Sequence, residues 1–145
     1  MQSFSTREQI IEVVNRLFVF TDCRRWDKLQ AEVFSTGLRQ FDMSSAGGPS
    51  KELKSKEICE MWQQGFEGID AIQHLAGNYL VKVDGDTAEV FAYANATHYK
   101  AAAVEGNTRE YVGSYDLHLV KVASGWRIDG FRYNMKYVTG NVALV

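Results

Sequence analysis

The chain has little of what marks the specialised protein classes, and each shortage removes one of them. There is a single proline, Pro49, in 145 residues, and hydrophobic residues make up 46% of the chain, so neither a proline-rich extended segment nor a disordered one is expected. No apolar run approaches the roughly 20 residues that span a bilayer. Two cysteines, Cys23 and Cys59, are too few for a disulfide framework or a zinc cluster, and both are expected to be buried free thiols. The net charge is only −2, with the cations scattered along the chain, which argues against a nucleic-acid footprint. The start, Met1 to Gln9, turns amphipathic without the basic and then apolar segments of a secretory signal, so the cytoplasm is the expected compartment. Small molecules or other protein chains are the expected partners.

What remains is a chain of one domain's length, 1–145, with no linker and no repeat. Ser5 and Glu8 have capping-box spacing, and Ile10, Ile11, Val13, Val14, Leu17 and Phe18 follow a 3.6-residue period, which predicts a first helix from Thr6 to Thr21. Trp26, Leu29, Val33 and Phe34 predict a second, shorter helix. A strand is expected over Leu38 to Met43, a mobile loop over Ser44 to Ser50, and a third helix through Ile58, Met61, Trp62 and Phe66, ended by Gly68. From Ala71 the period becomes two. Turn signals at Asp84 to Asp86, Glu105 to Asn107 and Ala123 to Gly125 divide the rest into four long antiparallel strands. Three helices on one face of a curved, mainly antiparallel sheet make an α+β fold.

Alternation also assigns faces. From Ala88 to His98 the even positions are small and end in His98, while the odd positions carry Phe91, Tyr93 and, one step on, Tyr99. The even face should meet the helices, leaving a cavity lined by Ala92, Ala94 and Ala96 into which His98 projects. The aromatic face should then meet a second sheet, which predicts a homodimer.

Only three histidines are present. His74 lies on an early strand beside Gly77, where a bulge is expected, and His98 faces the same interior. Asp22 continues the apolar row Ile11, Val14, Phe18 at the unfavourable negative end of the first helix, where a buried carboxylate needs a donor. One reading has it cap a backbone amide between Cys23 and Arg25. The other has it orient an imidazole, leaving the second ring nitrogen for a substrate. We take the latter, with Asp22 holding His98 and His74 across the pocket. No HxD or HxxxH spacing supports a metal triad, so neither metal nor cofactor is expected. His118 alternates with the apolar row Tyr115, Leu117, Leu119 and falls outside the site.

Phe20 to Leu29 (FTDCRRWDKL), Gln73 to Asn78 (QHLAGN), Val83 to Val90 (VDGDTAEV) and Gly125 to Ile128 (GWRI) resemble the SnoaL-like branch of the nuclear-transport-factor-2-like superfamily. The nearest enzyme likeness is to the scytalone dehydratases. That resemblance implies a cone-shaped α+β barrel around a deep pocket and a dimer through the sheet. It further implies a cofactor-independent dehydratase acting on a hydroxy-carbonyl or polyketide-like substrate, with Asp22, His74 and His98 at the three catalytic positions. Tyr115 and Asn78 are candidates to position the substrate carbonyl. Thr21 stands where those dehydratases carry a tyrosine. Asp42 falls where the related ketosteroid isomerases place their base, which leaves an isomerase reading beside the dehydratase one. A non-catalytic binding or assembly dimer is a third reading, since a fold does not set a function.

Overall fold

A computed structural model describes residues 3–145. Helix α1 (Thr6–Asp22) begins with the expected capping box: Ser5 Oγ accepts from the Glu8 amide, and the Glu8 carboxylate accepts from the Ser5 amide. Its apolar stripe buries Ile10, Val14, Leu17 and Phe18. A one-turn helix α2 (Trp26–Lys28) continues into a π-helical turn over Leu29–Val33, which buries Leu29 and Val33. Helix α3 (Ser55–Gly65) stops three residues before Gly68, with Phe66 as its cap.

The sheet has six strands: β1 (Gly37–Asp42), β2 (Ser50–Lys54), β3 (Ala71–Asp84), β4 (Thr87–Tyr99), β5 (Thr108–Val122) and β6 (Gly125–Gly140), in the order β2-β1-β6-β5-β4-β3. Strand β1 runs parallel to β6, and every other neighbour is antiparallel, so the sheet is mixed, curved and unclosed. Strand β2 is absent from the sequence reading, which made its beginning part of a loop. Of its residues, Ser-Lys-Glu-Leu-Lys, only Leu53 packs partly on the core, and the strand sits at the sheet edge, where charge and exposure guard against further pairing. Residues Ser44–Ala46 form a helical turn pinned to β6 by Ser45, whose Oγ donates to the Tyr133 carbonyl and accepts from the Met135 amide.

The helices cover the inner face, where the core gathers Ile10, Val14, Leu17, Ile58, Val90, Leu117, Leu119 and Ile128. Trp62 of α3 lies against the rings of Phe34, Phe41 and Phe131. Residues Ala88 to His98 alternate as expected, with every even position buried. Ala92 and Ala94 do not border the cavity between the helices and the sheet, however. They are buried, because small side chains in mid-sheet let neighbouring groups approach closely; of the three, only Ala96 borders that cavity. Cys59 is buried, whereas Cys23 is exposed because it caps the end of α1. Among the described residues no helix is long and apolar enough to cross a membrane.

Candidate functional site

Between the helices and the sheet lies a cavity of about 220 Å³, bordered by Phe18 and Thr21 of α1, Trp62 of α3, and side chains from the inner faces of β3 to β6. An apolar cavity of about 150 Å³ suffices for benzene, so this one suits a molecule of one or two rings. Its polar groups are few: His74, His98, Tyr111, Tyr115 and Tyr133. Thr21 contributes a methyl surface only, since its hydroxyl donates to the Leu17 carbonyl one turn back, at 2.6 Å.

The β3–β4 register pairs Ile72 with His98 and His74 with Ala96, which makes the two histidines diagonal neighbours on the inner face. The end of α1 lies over β3, and Asp22 meets His74 there. One carboxylate oxygen is 2.6 Å from His74 Nδ1; the other accepts from the His74 backbone amide at 2.8 Å. Asp22 therefore orients His74, and the expectation that it holds His98 is corrected. The register is the reason: the α1 terminus reaches β3, whereas His98 lies one strand further on. Asp22 does cap a backbone amide, but that of His74 itself. A carboxylate only accepts, so the Nδ1 proton faces Asp22 and Nε2 is the ring nitrogen turned away from it. Phe18 stacks on the ring, 5.3 Å between centroids, and holds its plane.

His98 is held instead by Arg109, its cross-strand partner on β5, whose Nε donates to His98 Nδ1 at 3.0 Å. A guanidinium can only donate, so Nδ1 accepts and the ring proton resides on Nε2. Burial, then the Arg109 charge and His74, lower the His98 pKa from 6.5 to about 4. His98 is thus a neutral imidazole that can donate a hydrogen bond into the cavity but not act as an imidazolium acid. Arg109 itself is anchored by donating to the Val142 carbonyl at 2.8 Å.

Tyr115 borders the cavity, its ring at the edge of Phe18 and beside Tyr133, and burial raises its pKa, so it stays protonated. Two other expected site residues lie elsewhere. Asn78 is the extra residue of the β3 bulge, exposed with φ of 57°, and does not border the cavity. The bulge foreseen at Gly77 is present, but it turns Asn78 away from the interior. Asp42 ends β1 outside the cavity. Its carboxylate accepts from the Ser44 amide at 2.9 Å and hydroxyl at 2.6 Å and pairs with Arg132 at 3.6 Å. These contacts, the Ser44 hydroxyl foremost, lower its pKa, the wrong direction for a base. The placement that an isomerase reading requires is therefore not found. His118 faces outward, 2.5 Å from Asp129, as its alternation implied.

Sequence reasoning missed Tyr111 and Tyr133. The signal was present, because Phe131, Tyr133 and Met135 alternate along β6 as Tyr111 and Tyr115 do along β5. Tyr133 is 4% exposed, and its hydroxyl has no hydrogen-bond partner among the described residues. An unpaired buried hydroxyl costs about 1–3 kcal/mol. Among the described residues no group of three or more histidine, cysteine, aspartate or glutamate side chains is arranged to hold a metal ion.

An α+β sheet of this order, with helices over a histidine- and tyrosine-lined cavity, defines the nuclear-transport-factor-2-like fold, and known proteins agree. Residues 2–132 match the model of the SnoaL-like domain, and the chain belongs to that family. The structure is similar to the Kfla4162 protein of Kribbella flavida, with 26% identity over 96% of this chain and 95% of that one and a TM-score of 0.88. A scytalone-dehydratase-like protein from Novosphingobium aromaticivorans shares the fold, with 15% identity over 90% and 84% of the two chains and a TM-score of 0.74. So does the type 3 hexachlorocyclohexane dehydrochlorinase of Novosphingobium barchaimii, with 16% identity over 92% and 88% and a TM-score of 0.75. No curated protein matches the chain.

Proposed function

We propose that this protein is a cofactor-independent lyase that removes water from a compact hydroxy-carbonyl or polyketide-like molecule, with His74 as the base. The observation that carries the reading is the Asp22 carboxylate engaging both the backbone amide and Nδ1 of His74. That contact aims an unprotonated Nε2 at the substrate and stabilises the imidazolium formed when a proton is taken. Two of the similar structures carry names that denote loss of water or of hydrogen chloride, both eliminations.

In the reaction, His74 Nε2 takes the proton from the carbon next to the carbonyl. The C–H electrons form the carbon–carbon double bond, and the C–O bond to the hydroxyl breaks. His98, neutral with its proton on Nε2, supports the departing oxygen by a hydrogen bond. Full donation from it would leave an imidazolate, so the proton that completes the water molecule returns from His74. Each acid–base role is worth roughly 10² to 10⁴-fold.

The test is a panel of uncharged cyclic β-hydroxy ketones, followed by the absorption of the conjugated enone product. Wild-type protein should convert at least one member, and His74→Gln should lower the rate by roughly 10² to 10⁴-fold. A His74→Gln protein that turns the same substrate over at the wild-type rate contradicts the assignment. A protein that binds these ketones without converting any of them is a binder instead.

The working unit in this reading is a homodimer through the outer face of the sheet. Leu75 at 70%, Leu80 at 67% and Tyr93 at 42% exposure, with half-buried Phe91 beside Tyr93, give that face an apolar surface that a second copy would cover.

A further inference from the structure

The mechanism above uses a base on β3 and a donor on β4, and leaves unexplained the phenol on the opposite wall. Tyr133 borders the same cavity, is almost wholly buried, and its hydroxyl is unpaired among the described residues. Its seat is built for it. A Cβ on Gly113, the β5 residue next to it, would stand 2.8 Å from the Tyr133 hydroxyl and 2.2 Å from the Asn134 carbonyl, so only glycine leaves room for the phenol there. The ring packs against Tyr115, at 4.9 Å between centroids, and its own backbone is pinned by Ser45, whose Oγ donates to the Tyr133 carbonyl. A side chain locked in place, with a buried and unsatisfied O–H, in a residue that borders the cavity is a donor that lacks its acceptor.

The chemistry of the missing acceptor follows from the rest of the lining. No lysine, arginine, aspartate or glutamate borders the cavity, so nothing there would neutralise a charged ligand; a desolvated carboxylate or ammonium would be rejected. We infer that Tyr133 is a substrate-binding residue whose hydroxyl donates to the carbonyl oxygen of an uncharged, one- or two-ring ligand. The inference rests on the elimination reading for its place in a reaction, because a donor on that oxygen stabilises the enolate that proton removal creates. Burial pushes the Tyr133 phenol up to about 12, so it remains a donor across the neutral range.

The probe is 1-tetralone, an uncharged bicyclic ketone, with tetralin as its hydrocarbon match. Titration followed by NMR gives both affinities, and infrared spectroscopy of carbonyl-¹³C tetralone reads the hydrogen bond directly. In wild-type protein the ketone should bind at least fivefold more tightly than tetralin, with its carbonyl band shifted to lower frequency. Tyr133→Phe should lose roughly fivefold to tenfold in ketone affinity, a step of about 1–1.4 kcal/mol. It should also return the band toward higher frequency and leave tetralin binding within twofold. The inference is overturned by wild-type protein that does not prefer the ketone, by a carbonyl band that the substitution does not move, or by an affinity loss that tetralin shares. Because the measurement needs no turnover, it fails independently of the reading above. A variant at His74 that keeps elimination at the wild-type rate while the Tyr133 effects persist contradicts only the base assignment.

Discussion

At the scale of single residues, the two histidines differ in what holds them, and the difference is measurable. Burial, and after it Arg109, keep His98 neutral, so NMR should find its Nε2–H form persisting down to about pH 4. The same shift affects stability. Between pH 6.5 and about 4 the unfolded chain takes up a proton on His98 that the folded protein refuses, so stability falls with falling pH across that window and levels off below it. The contribution is at most about 3 kcal/mol. Denaturation of wild-type and His98→Gln proteins at several pH values should show the extra loss only in the former; parallel curves contradict it. Asp22 calls for a different expectation. A carboxylate that accepts two hydrogen bonds is not the strained charge its helix position implied, so Asp22→Asn should cost about 1–3 kcal/mol in chemical denaturation. The inward aim of Asp22, His74 and His98 was legible from periodicity alone. Which histidine the carboxylate meets was not, because that depends on where the end of α1 crosses the sheet. Tyr133 was readable in principle, but without knowledge of the facing Gly113 an apolar-row tyrosine looks like core.

Among the elements, strand β3 carries the most consequence. Its bulge between Gly77 and Leu80 inserts Asn78 at φ of 57°, so that Ala76 before it and Tyr79 after it both pack on the core. A left-handed backbone suits asparagine and disfavours β-branched residues by roughly 1–2 kcal/mol. Asn78→Val should therefore lower stability by about that amount, whereas Asn78→Gly should be tolerated; equal stabilities for the two would show that the bulge is not held as described. Helix α1 and the four long strands declared themselves through capping and turn chemistry, down to the Gly85–Asp86 turn. Strand β2 did not, because its stability comes from pairing with β1 rather than from burial, and Ser-Lys-Glu-Leu-Lys has no alternation to read. Parallel pairing of β1 with β6, more than 80 residues away, likewise leaves no local mark.

For the whole molecule, the outer sheet face is the open question that assembly would answer. Sedimentation at micromolar concentration should give a dimer, and Tyr93→Glu, which would bury an unpaired carboxylate between two sheets, should give monomers or aggregates. A monomeric wild type contradicts the dimer. The chemistry proposed for the protein rests on one event, removal of a proton beside a carbonyl by His74, and that event can be watched without knowing the natural substrate. In D₂O the C2 protons of 1-tetralone exchange slowly by themselves. Wild-type protein should accelerate the exchange, His74→Gln should abolish at least 99% of the acceleration, in line with the roughly 10² to 10⁴-fold worth of a general base, and Asp22→Asn should fall between. Exchange as fast with His74→Gln as with wild type, followed by proton NMR under the same conditions, would contradict the account at its centre.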